Sequence, residues 1–235
     1  MKMLSVLLQV TNPVDNPLDL TTQVVTTEAQ MNVIELAFKG GWIMVVLLIL
    51  SLIATYVFIQ RLMIIRLAGK SDESFMSRIK DYIYDGKVES ALNLCRSTNS
   101  PTARMIAKGI TRLGRPTSDV LVTVENAGNI EVAKLEKGFP VIATIAGGAP
   151  MVGFLGTVTG MIRSFYAMAN AGTNVDITML SGGIYEALVT TVGGLVVGII
   201  AMFGYNYLVS LVGNVVNRLE TSTMDFMDLL NEPSM

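Results

Sequence analysis

The sequence holds no histidine, one cysteine and few charges. Without histidine the chain lacks the commonest general base, metal ligand and neutral-pH proton carrier. The lone Cys95 excludes an internal disulfide framework and a cysteine-based metal site. Nothing in the sequence beside it would activate a thiolate, so it reads as a small core residue. Charged residues make up 15% of the chain, where a soluble domain carries about a quarter. The formal net charge is −2, so nothing draws the chain to nucleic acid. No nucleophile–base pair or metal cluster is visible, so the chain reads as neither an enzyme nor the host of a cofactor.

What is abundant is apolar: 51% of the residues are hydrophobic. A helix needs about 20 mostly apolar residues to cross the hydrocarbon core of a membrane. Trp42 to Ile59 is uncharged between Lys39 and Arg61, and Phe139 to Ile162 is uncharged between Lys137 and Arg163. From Ile177 to Asn217 the only charge is Glu186. The expected fold is therefore an all-α integral membrane protein with three transmembrane helices and a helical domain between the first two. Of the 17 Lys and Arg, 13 lie between Arg61 and Lys137, so the positive-inside tendency puts that region in the cytoplasm. The expected layout is an outer N-terminal segment 1–41, a first span 42–60 and a cytoplasmic helical domain 61–137. A second span 138–163, an outer loop 164–180, a third span 181–211 and a cytoplasmic tail 212–235 follow. Met1 to Val10 is a short apolar run without a small-x-small cleavage site after it, and is expected to be retained. Met31 to Phe38 has an apolar face suited to the membrane interface.

Within 61–137, short helices are expected. Ser71 is placed to cap one with Phe75, Ile79 and Ile83 at helical spacing, ending near Asp85–Gly86. Val88 to Cys95 forms a second, and about Thr102 to Leu113 a third, stopped by Gly114 and Pro116. Thr117, Ser118 or Asp119 then caps a longer helix, expected to run straight into the second span as one rod.

The last two spans carry small residues in stripes. Pro150, Gly153, Thr157, Gly160 and Ser164 are spaced 3, 4, 3, 4 and share one face of a helix, with Gly156 and Gly160 as a small-xxx-small pair beside them. Ala187, Thr191, Gly194, Gly198 and Ala201 repeat the pattern, with Glu186, Thr190, Gly193 and Val197 as the neighbouring stripe. The glycines Gly153, Gly156, Gly160, Gly194 and Gly198 read as helix-packing residues. For Thr157 and Thr191, bonding back to their own helix and lining a polar conduit remain equal alternatives. Glu186 is an ionisable group in a span, which faces either a hydrated centre or the nearby interface. Arg163 snorkels to headgroups or pairs with Asp176 or Glu186.

The run Gly148–Ala149–Pro150–Met151–Val152–Gly153–Phe154–Leu155–Gly156–Thr157–Val158–Thr159–Gly160–Met161 resembles the second-span signature of the ExbB/TolQ/MotA proton-channel family. Gly183–Ile184–Tyr185–Glu186–Ala187–Leu188–Val189–Thr190–Thr191–Val192–Gly193–Gly194 resembles its third-span signature, and the likeness is closest to ExbB and TolQ. The resemblance implies a homo-oligomer, a pentamer in ExbB-like proteins, whose second and third helices line a pore. It implies ExbD-like single-span partners carrying a proton-binding aspartate in that pore, and a TonB-like transducer energised in the bacterial inner membrane. By the same resemblance Thr157, Thr191, Glu186 and Thr190 belong to the pore lining and proton path. Gly148 departs from relatives that have Thr there, and Arg163 from a position that is often uncharged. A TolQ-like or gliding-motor stator is the competing role within the family, and a passive oligomeric scaffold in membrane lipid the competing class. A MotA-like stator would be expected to have four spans.

Overall fold

The computed structural model describes residues 40–69, 74–170 and 177–231. The expectations for the N-terminal run, the interfacial segment Met31–Phe38, the Ser71 cap and Asp176 fall outside them. Among the described residues every regular element is a helix: α1 (Gly41–Ala68), α2 (Ser74–Tyr84), α3 (Val88–Ser97), α4 (Pro101–Ile110), α5 (Thr117–Glu136), α6 (Phe139–Asn170) and α7 (Ile177–Asn231). Three of these, α1, α6 and α7, are long and apolar enough to cross a membrane. The protein is a multi-pass membrane protein, helical throughout its regular elements among the described residues.

Helix α1 buries only a narrow stripe, Ile43, Leu47, Ala54 and Ile65, against the other two membrane helices. Its remaining apolar residues, Trp42, Leu48, Leu52 and Tyr56 among them, are exposed, as a lipid-facing helix requires. It continues past the expected end at 60 to Ala68, carrying Arg61 and Arg66 beyond the apolar run.

Two expectations are corrected. The first is the single rod from 119 into the second span. Helix α5 ends at Glu136, Lys137 turns extended, and Gly138 takes φ +96° before α6 restarts at Phe139. That left-handed geometry suits glycine, and Pro140 has no N–H with which to continue the helix from α5. Glycine followed closely by proline is a helix-stop signal, so the break was present in the sequence. A Cβ on Gly138 would lie 3.2 Å from Arg61 Nε and 3.3 Å from Val57 on α1, so the elbow is seated on the first span.

The second correction is the tail from 212. Helix α7 does not stop at 211 but runs for 55 residues to Asn231, on the order of 80 Å at 1.5 Å per residue. Leu208, Val212, Val215, Leu219, Phe226 and Leu229 are buried along it. They recur at steps of three, four and seven residues, the same helical period that marks the spans. This lower half packs on α2–α5. Phe226 and Val124 close over Gly109, where a Cβ would come within 2.7 Å of both side chains.

The α2–α5 bundle follows its amphipathic pattern. Phe75 and Ile79 are buried in α2 and Ile83 packs on the same core. Ser100 caps α4 by accepting from the Ala103 N–H at 3.1 Å, with Pro101 in the first turn. Helix α4 spans Pro101–Ile110 instead of Thr102–Leu113, since Thr111 to Gly114 form a turn. Helix α5 starts after Pro116, and none of Thr117, Ser118 and Asp119 serves as its cap. Cys95 is buried, and burial pushes its thiol up to about 11.

One charged cluster was not legible beforehand. Glu131 of α5 is almost fully buried and accepts from Arg104 Nε of α4 at 2.8 Å and Lys134 Nζ at 2.6 Å. Arg104 Nη1 also donates to Asn99 Oδ1 at 3.0 Å, tying in the α3–α4 turn. Burial alone would raise the Glu131 carboxyl, but the two cations outweigh it and hold it below the ordinary carboxylate value. Its contribution to stability is thus complete above the unfolded-state value of about 4.3 and is lost as the pH falls through the lowered folded value. Both cations are well exposed, which limits the effect of Glu131→Gln to about 1–2 kcal/mol. Thermal unfolding in detergent should show E131Q less stable at pH 7 and converging on the wild type as the pH drops below about 4.

Candidate functional site

Helices α6 and α7 run antiparallel and touch through their glycine stripes. A Cβ on Gly153 would lie 2.8 Å from Thr190 O and 3.0 Å from Gly194 Cα; one on Gly194 would lie 2.6 Å from Ala149 O. These obstacles are backbone atoms, which no rotamer change can move aside. Gly160 faces Ala187 at 3.0 Å by the same measure, and Gly198 faces Pro150 at 2.6 Å. The five packing glycines therefore sit within one chain, between its own last two spans. Ser164 closes the far end of the seam, buried, with its hydroxyl donating to Gly160 O at 3.0 Å.

Thr190 belongs to this seam and not to an open wall. It is 1% exposed, donates to Ala187 O at 2.7 Å, and lies directly over Gly156. The expectation that it lines a conduit is thus corrected. The absent side chain at 156 makes the space that its hydroxyl and methyl fill.

Thr157 and Thr191 occupy the edge of the seam. Thr157 Oγ1 donates to Phe154 O at 2.6 Å within α6, while Thr191 Oγ1 crosses to Gly153 O at 3.2 Å. Thr157 thus bonds back to its own helix and Thr191 to the facing one: each hydroxyl proton is taken by a carbonyl, and each side chain remains partly accessible. What they present outward is an oxygen lone pair, an acceptor for water or for a protonated carboxyl. The two share one edge. Helix α1 covers the opposite flank, since Gly193 meets Met44 and Leu47, Gly204 meets Phe58, and Gly138 meets Val57.

Glu186 does not join them. At 100° per residue it is turned about 140° from Thr191 around α7, toward α1, where its carboxylate lies against Gly41. There Arg163 Nη1 approaches Glu186 Oε1 at 3.7 Å, with the carboxylate side chain 32% exposed. Of the four residues that the resemblance assigned to the pore lining, Thr157 and Thr191 thus lie on one edge and Glu186, in an ion pair, on the other. The pairing of Arg163 with Glu186, one of its expected alternatives, is the arrangement present. On the threonine edge the accessible neighbours Phe154, Met161, Leu188 and Leu195 are apolar, so that face offers no titrating group of its own. Among the described residues no set of His, Cys, Asp and Glu is grouped to hold a metal ion.

Substitutions on the seam should separate sharply. Gly194→Val forces backbone apart and is expected to cost about 1–3 kcal/mol. Gly148→Ala meets nothing within 4 Å and should be neutral or gain up to about 1 kcal/mol from helix propensity. Thermal denaturation of the detergent-solubilised variants measures both.

Residues 97–221 match the model of the MotA/TolQ/ExbB proton channel family. The matched stretch covers α4, α5, α6 and most of α7. An ExbB-like biopolymer transport protein of Synechocystis sp. is 31% identical over 180 residues, 74% of this chain and 69% of that protein. The Tol-Pal system protein TolQ of Haemophilus influenzae is 28% identical over 215 residues, 85% of this chain and 92% of TolQ. The biopolymer transport protein ExbB of Xanthomonas campestris is 34% identical over 98 residues, 42% of this chain and 38% of that protein.

Proposed function

The chain belongs to the MotA/TolQ/ExbB proton channel family, and from that premise we propose that it is the wall-forming subunit of a proton-driven inner-membrane motor. In this reading copies of the chain, five as in ExbB-like proteins, assemble with α6 and α7 around a pore and α1 on the outside. ExbD-like single-span partners occupy the pore, and proton flow energises a TonB-like transducer for uptake across the outer membrane. The basic α2–α5 bundle lies in the cytoplasm.

The observation that carries this reading is the paired threonine edge. Thr157 and Thr191 face away from α1, with their protons already donated to Phe154 O and Gly153 O. A hydroxyl so engaged can accept, but has no proton left to give to a carboxylate. The wall therefore favours the neutral, protonated form of a partner's aspartate, whose O–H it can receive. It also leaves the ionised form to pay the several kcal/mol that burying an unpaired charge entails. Proton arrival and departure on that carboxyl would thus change how firmly the partner helix is held. With no histidine and no acid on this edge, the chain lines a proton path that another chain completes. Glu186, held to Arg163 and seated against Gly41, takes the role of a clamp between α1, α6 and α7.

A TolQ-like stator role is the second reading, favoured by the match to TolQ over nearly its whole length. Both roles use the same wall, and a passive scaffold does not. The test is dye-monitored proton uptake by proteoliposomes holding the chain with its single-span partner. Thr157→Val with Thr191→Val should cut partner-dependent uptake tenfold or more while the complex still co-purifies. Unchanged uptake would remove the threonines from the path. An absence of partner-dependent uptake in the wild type would leave the scaffold.

A further inference from the structure

Away from the threonine edge, α1 and α7 enclose a pocket of about 410 Å³. Ile142 of α6 forms its floor, and Phe58, Ile200, Phe203 and Tyr207 form apolar walls. It reaches α1 at Ser51, Ala54 and Thr55, in the half of the span nearer the α2–α5 bundle. Phe203 and Ile200 are exposed, so the pocket opens on the outer face of the single chain, at the depth where α1 and α7 are apolar enough to cross a membrane.

At the end of the pocket stands a cation. Arg66, on the last turns of α1, has no carboxylate within ion-pair distance among the described residues. Its Nη2 reaches Tyr207 Oη only at 3.5 Å, which leaves most of its donors open. Tyr207 is itself a pocket wall, so apolar groove and guanidinium are continuous. The dimensions suit one leaflet. From Ser51 to Arg66 is about 22 Å along a helix, against about 15 Å of acyl chain and about 5–7 Å of headgroup. An apolar slot at hydrocarbon depth that ends in a cation at headgroup depth, with no counter-ion among the described residues, is the arrangement that recognises an anionic lipid.

We propose that the groove between α1 and α7 binds one anionic phospholipid of the leaflet on the side of the α2–α5 bundle. An acyl chain lies along Phe58, Ile200 and Phe203, and the phosphate rests on Arg66 and Tyr207. The site is separate from the proton path and does not depend on the role assigned to it.

The experiment uses the full-length protein, purified as its native assembly, delipidated and titrated with phosphatidylglycerol or phosphatidylcholine under native mass spectrometry. Phosphatidylglycerol should bind about tenfold more tightly, at one per chain. Arg66→Gln should abolish the preference while leaving weak binding of both lipids. Ala54→Phe, which fills the slot, should lower occupancy by either lipid without altering the assembly. Excess inorganic phosphate should not displace the lipid; displacement would make the site one for free phosphate and overturn the proposal. Equal affinity for the two lipids in the wild type, or an unchanged preference in R66Q, would also overturn it. A bimane on Phe203→Cys, in a Cys95→Ala background, should be quenched by chain-brominated phosphatidylglycerol. Disulfide cross-linking of that cysteine between subunits instead would show that a second copy of the chain covers the groove, and would end the proposal. Because R66Q and A54F leave Thr157 and Thr191 untouched, failure here is distinguishable from failure of the proton-path reading.

Discussion

Backbone contact between α6 and α7 is the constraint on which the rest of the molecule depends. In hydrocarbon there is no hydrophobic drive to press two apolar helices together, so association rests on close packing. Gly153 against Gly194 allows that approach, because neither residue has a side chain to hold the backbones apart. Once the helices are this close, Thr190 is committed to the seam over Gly156 and Thr191 can reach across to Gly153 O. The same approach places Arg163 beside Glu186. The chemistry of each polar group in the membrane thus follows from where it falls relative to one contact line.

The contact also sets the direction of the two long helices outside the membrane. Helix α7 continues without a break, so its buried lower residues from Leu208 to Leu229 extend the span as a post on which α2–α5 assemble. Helix α6 is instead separated from α5 by the Gly138 elbow, which rests on Val57 and Arg61 of α1. One helix is continuous beyond the span and the other is interrupted at Lys137–Gly138. The edge-to-face packing of Phe139 on Tyr205, 6.0 Å between centroids, fixes the elbow to the post.

Much of this was legible in the residues. The three apolar runs mark the spans because no soluble fold needs such lengths of uncharged sequence, and the glycine spacing marks the helix contact because only one face repeats at 3 and 4. The family likeness rested on those two stretches, and it holds. The continuation of α7 was legible too, in Val212, Val215, Leu219 and Phe226, but the thinning of apolar residues after 211 hid it. The elbow was written as Gly138–Phe139–Pro140 and lost beneath the strong helical pattern on either side. The Glu131 cluster had no sequence signal, since Arg104 lies 27 residues away and its approach depends on how α4 meets α5.

By itself the sequence determined the number of membrane helices, the small faces of the last two, the absence of histidine and the presence of a single acid, Glu186, in the third span. These depend only on composition and period, which act locally along the chain. What the tertiary structure decided is which polar residue looks where. Stripe membership put Thr190 and Thr191 on neighbouring stripes but could not say which of the two is sealed and which accessible. Nor could it show Glu186 turned toward α1 and away from the threonines. A helix presents residues all around its axis, and only the position of its neighbours decides which of them become interior.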